Sequence, residues 1–210
     1  LLSQVRRGVT TTRLVDHFFS WFRRELKTAC EGPDDRPYDF MGGWVGYLGY
    51  ELKAETGGEE EYVSTHPDAQ LIFVDRFIVF DHLLEQVYLV TVDDEQSGDA
   101  QDAWRAEMVA RIPQIQPPPA PAVEHTSFSL SRSEDQYRAD IETCLKEISA
   151  GESYEICLTT HLVGGPLADP FSAYRRLRAE NDVPFAAFLR LGDLSIASVS
   201  PERFLQVSPA

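Results

Sequence analysis

The sequence predicts an α+β fold, with antiparallel strands and helices arranged in blocks. Three observations lead there. Residues 71–92 hold three strand-like runs in succession with no helical pattern between them. Gly192-Asp193 stands between two apolar runs, the two-residue loop of a tight hairpin. Helical periodicity is confined to 13–30, 100–112, 133–150 and 169–181, so strict strand–helix alternation is absent.

In chain order, residues 13–30 set Leu14, Phe18, Trp21, Phe22 and Leu26 at three- and four-residue steps, with Arg23, Arg24 and Lys27 on the other face. That pattern predicts an amphipathic helix. Two prolines and three aspartates mark 31–40 as a loop. Trp44, Val45, Tyr47 and Leu48 then predict a strand that turns into a short helix near Tyr50–Glu55. Glycines at 43, 46 and 49 suit a close backbone approach or a bulge. Their spacing is not GxGxxG and no long helix follows, which argues against a dinucleotide loop. The runs LIFVD, FIVFD and QVYLVTV read as an antiparallel meander, with His82–Glu85 as the last turn. Residues 100–112 read as a helix with Trp104, Met108, Val109 and Ile112 on one side.

Four prolines within residues 117–121 forbid a helix and favour an extended linker. The expected boundary lies near residue 120, dividing the chain into 1–120 and 121–210. Beyond it, Ser133 is a natural N-cap with Gln136 as its capping-box partner. Tyr137, Ile141, Cys144, Leu145 and Ile148 form one apolar face, and Gly151 is the expected left-handed stop. Tyr154, Ile156 and Leu158 alternate with Glu155, Cys157 and Thr159, which predicts a strand. Asp169 and Pro170 open a short helix. The hairpin around Gly192-Asp193 follows, and ERFLQV reads as one more strand.

Of the charged residues, 34 are acidic and 19 basic, a net charge of −15. A general nucleic-acid binder needs a basic face, so that class is excluded. Most of the excess falls in 41–125 and includes Glu59-Glu60-Glu61, a solvated acidic stretch. No apolar run approaches the ~20 residues that cross a bilayer. The three cysteines, Cys30, Cys144 and Cys157, form no CxxC pair and make a poor disulfide framework, which fits a reducing cytoplasm. Cys144 and Cys157 read as small core residues. The five histidines show no metal-ligand spacing. The start has neither an initiator Met nor a signal-peptide core, and the end falls within a strand-like pattern, so both read as cut ends.

Three segments resemble the chorismate-binding enzymes, and among them the aminodeoxychorismate synthase (para-aminobenzoate synthase) branch. They are GGWVGYLGYELKAE at 42–55, the segment around GESYEICLTTHL at 151–162, and the Pro-aromatic hairpin running into Ser200-Pro201-Glu202 at 183–207. Their order is the family's order. Anthranilate synthases more often carry a Phe-Gln-Val type core where this chain has Tyr154-Glu155-Ile156-Cys157. The resemblance implies a partial anthranilate synthase component I-like fold, chorismate as substrate, and a glutamine amidotransferase as separate subunit or fused domain. It implies a Mg²⁺ cofactor whose ligands, like the family's lysine nucleophile, lie outside this chain, so that no metal ligand is expected here and the fragment alone is expected to be inactive.

Adding ammonia to a dianionic ring while a hydroxyl leaves requires cations, a proton carrier and a dry pocket. The resemblance gives the proton-carrying role to Glu202. Pro184 and Phe185 match a hairpin segment that lines a tryptophan pocket in related enzymes. Arg203, Trp44 and Tyr47 read as structural, and Glu155 fits either a cavity or a solvent face. Two other readings stand beside this one. The first is an anthranilate or isochorismate synthase sibling. The second is a non-catalytic module binding an aromatic amino acid or a glutaminase through the acidic stretch at 51–61.

Overall fold

The computed structural model describes residues 2–6, 9–13, 17–26, 36–59, 63–93, 98–120 and 127–207. They group into two compact units, Leu1–Pro118 with Leu191–Leu194, and Pro119–Arg190 with Ser195–Ala210.

The first unit opens with a hairpin, β1 (Leu2–Arg6) and β2 (Val9–Arg13), in which Leu2 faces Arg13 and Arg6 faces Val9. Helix α1 covers Phe18–Glu25. The helix expected from residue 13 therefore starts later, and Arg13 is the last residue of a strand. Three successive threonines at 10–12 favour strand over helix, because β-branched side chains lose rotamer freedom against a helical turn. Residues 27–30 lie outside the described residues.

Strand β3 (Gly43–Leu48) pairs antiparallel with β4 (Ala69–Val74), and a 3-10 turn over Tyr50–Thr56 follows β3. Trp44 lies opposite Phe73 in this register. Gly46 is required by contact: a Cβ there would collide with the Gln70 carbonyl and sit 2.9 Å from Leu71 Cα. Strands β5 (Arg76–Asp81) and β6 (Gln86–Thr91) form the next hairpin, closed by the turn at 82–85. The meander is thus interrupted, since among the described residues β4 pairs with β3 and not with β5. Only Asp75 separates β4 from β5, and one residue cannot reverse a strand.

An aromatic cluster forms the core of this unit. Trp21, 4% exposed, has Phe18, Phe22 and Trp44 rings within 6.0 Å of its own, and Trp44 meets Phe73 at 5.3 Å. Helix α2 spans Gly98–Arg111 and ends in a 3-10 turn at Ile112–Gln114. Its most buried residue is Gln101, at 2% exposure, whose amide donates to the Val92 carbonyl at 3.0 Å. Val109, expected on the apolar side, is exposed.

In the second unit, β7 (Phe128–Leu130) pairs antiparallel with β8 (Leu162–Gly164). Helix α3 covers Glu134–Ala150, with Ser133 Oγ accepting from Gln136 N. The Gln136 side chain bonds Asp140 instead of closing the box. At the other end Gly151 has φ 82°, and bonds from Gly151 N to Ile148 O and from Glu152 N to Glu147 O make a Schellman cap. Helix α4 (Pro170–Glu180) follows Asp169 and packs Phe171 and Tyr174 on Phe188, with ring centroids 5.1 and 5.5 Å apart. Strands β9 (Phe185–Leu191) and β10 (Leu194–Ser200) pair through Gly192-Asp193. Gly192 has φ 63° and Asp193 is not positive, the pattern of a type II′ turn.

Two expected strands are corrected. Residues 153–161 and 201–207 form no regular structure, and only 162–164 of the first run pairs. An alternating pattern sets which side chains share a face, but a strand exists only where another backbone takes its hydrogen bonds. Among the described residues no strand pairs with 153–160 or with 201–207, and His161 O accepts from Ser131 N at 2.9 Å at the edge of the β7–β8 ladder. Cys157 is accordingly exposed rather than in the core, while Cys144 is half-buried in α3.

Candidate functional site

The candidate site is the turn that ends β10. Pro201 has no N–H to continue the ladder, so the strand stops at Ser200. Ser200 Oγ then donates to the Glu202 carbonyl at 2.9 Å and lies 3.4 Å from Glu202 N. This clip fixes the backbone of Glu202 and leaves its side chain exposed. Ser153 makes the same clip on Glu155, donating to its carbonyl at 2.6 Å and accepting from its N–H at 3.3 Å. In both places a serine two residues before a glutamate sets the presentation of a carboxylate. From the sequence Ser200 entered only as part of Ser200-Pro201-Glu202 and Ser153 was not singled out, although a serine two residues before a glutamate is a recognisable turn signal.

Pro184 is exposed just before β9, and Phe185, the first residue of β9, is half-buried. The Arg203 guanidinium lies over the Phe185 ring, 5.0 Å from its centroid. The structure thus joins Phe185 to the residue after Glu202, while Pro184 takes no part in that contact. Arg190 lies over Phe188 at 5.7 Å, farther along β9.

At the start of α4, Asp169 accepts from Phe171 N at 3.1 Å and Ser172 N at 3.2 Å. The Ser172 hydroxyl, these N–H groups and the Arg190 charge hold its carboxyl below the usual value, against a smaller opposing effect of burial. In the first unit, Tyr47 donates its hydroxyl to the Pro67 carbonyl at 2.7 Å. Burial, then the nearby Asp68 and Glu51 charges, raise its pKa. Trp44 is packed in the aromatic cluster.

Among the described residues no group of three or more His, Cys, Asp or Glu could hold a metal ion. Among them, too, no helix is long and apolar enough to cross a membrane.

The fold is that of a known class of enzyme subunit. Anthranilate synthase component I from Streptococcus pneumoniae superimposes with a TM-score of 0.75, at 22% identity, over 95% of this chain and 48% of that one. The profile of the chorismate binding enzyme family matches residues 5–210, and the chain belongs to that family. It is 38% identical to an aminodeoxychorismate synthase of Streptomyces griseus over 97% of its length, and 35% identical to the chloroplastic aminodeoxychorismate synthase of Arabidopsis thaliana over 92%. It spans 29% and 23% of the lengths of those two relatives.

Proposed function

We propose that the protein carrying this chain is an aminodeoxychorismate synthase, replacing a ring hydroxyl of chorismate by ammonia to give 4-amino-4-deoxychorismate. The similarity to proteins of that name, 38% and 35% across nearly the whole chain, is the observation that supports it. In the reaction a C–N bond forms to the ring and the hydroxyl leaves as water, so a proton must reach the departing oxygen. Glu202 is the group for that transfer, and its clipped backbone with an outward side chain suits the role. Ammonia would come from a glutamine amidotransferase partner or domain, and the setting is cytoplasmic. Mg²⁺ would offset the substrate's charge, held by residues outside this chain. Pro184 and Phe185 are offered as part of an aromatic amino acid pocket.

The site assignment is tested by Glu202→Gln in the intact protein. Turnover of chorismate with ammonium is expected to fall by at least about tenfold, the low end for loss of a proton carrier. An unchanged rate would remove Glu202 from the chemistry.

A further inference from the structure

We infer that Arg203 is a positioning residue: stacked on Phe185, it holds the Ser200–Pro201–Glu202 turn to strand β9 and so fixes where the Glu202 carboxylate stands. The inference rests on the reading of Glu202 as the proton carrier.

Among the described residues none makes ladder bonds with 201–207, so the turn lacks the support a strand would have. Ser200 Oγ clips the turn to the end of β10, but the clip spans only two residues and ties the turn to itself. The Arg203 guanidinium, 5.0 Å from the Phe185 centroid, supplies the link to β9. Phe185 is held in turn, because it begins a paired strand. Adjacent Cα atoms stand about 3.8 Å apart, so fixing the residue after Glu202 narrows the directions open to its side chain. The planar guanidinium can lie face-on to the ring, whereas a lysine ammonium offers only a point charge. A displacement of about 1 Å at a reacting group can cost up to 10²-fold in rate, so a weak contact can have a kinetic effect larger than its strength.

The test compares Arg203→Met, Arg203→Lys, Phe185→Leu, the Met/Leu double variant and Glu202→Gln in the intact protein. Steady-state kinetics would use chorismate and ammonium, with each variant's thermal midpoint recorded. Arg203→Met and Phe185→Leu are each expected to lower kcat about three- to thirtyfold with KM for chorismate within about twofold. The double variant is expected to be no slower than the worse single, as for two halves of one contact. Arg203→Lys should recover part of the loss, and it decides the matter if Arg203→Met does not fold. Wild-type kcat in the Arg203 and Phe185 variants, with Glu202→Gln slow, overturns this inference alone. So does a multiplicative double variant, or a rise in KM alone, which would put the guanidinium on the substrate. Wild-type kcat in Glu202→Gln overturns the assignment of Glu202 and this inference with it.

Discussion

Asp169 opens α4 with two backbone N–H groups on one carboxylate oxygen, and the local sequence dictates it: an aspartate before a proline before an apolar turn. Its carboxyl is held below its ordinary value of 3.8, so the native state favours the charged form. The resulting stability is fully present above that value and is lost as pH falls through the folded-state pKa. Asp169→Asn is therefore expected to unfold earlier than wild type at neutral pH, with the difference narrowing as the pH falls below 3.8. Urea melts at several pH values would check this, and a constant difference would contradict it. Ser133 and Gly151 were equally legible, because each cap uses atoms within four residues of itself. The pairing of Arg203 with Phe185 was not legible, since it joins positions that only the hairpin brings together.

Helix α1 shows the same contrast at the scale of an element. Its apolar residues Phe18, Trp21 and Phe22 could be read from their spacing, but its start could not. His17 gives no side-chain cap, and Glu55 supplies one instead, accepting from Phe18 N at 2.8 Å and Phe19 N at 3.2 Å. The cap comes from 37 residues away in sequence, where local pattern carries no sign of it. Glu55→Ala is expected to cost about 1 kcal/mol, the usual loss for a helix cap. Faster amide exchange at Phe18 and Phe19 should accompany it, and unaltered exchange at both would refute the capping role. The two missing strands have the converse cause. Tyr154–Thr159 and ERFLQV have strand periodicity, yet Tyr154 is 93% and Phe204 101% exposed. Periodicity describes one strand, and pairing needs two.

For the whole molecule, the fold class followed from the order of patterns, and the TM-score of 0.75 agrees with it. The family rests on three separated segments in one order, and the match over 5–210 includes all three. The reaction is less legible, because the residue proposed to carry it, Glu202, is a single exposed carboxylate on a clipped turn. The identity of the product decides the proposed reaction, and nitrogen-15 ammonium reads it. The intact protein would be incubated with chorismate and Mg²⁺, the product weighed by mass spectrometry, and free pyruvate assayed. The expected result is a product that carries one labelled nitrogen and keeps its enolpyruvyl group, with no pyruvate released. A labelled aromatic amine formed with equimolar pyruvate, or a product without label, would contradict the account.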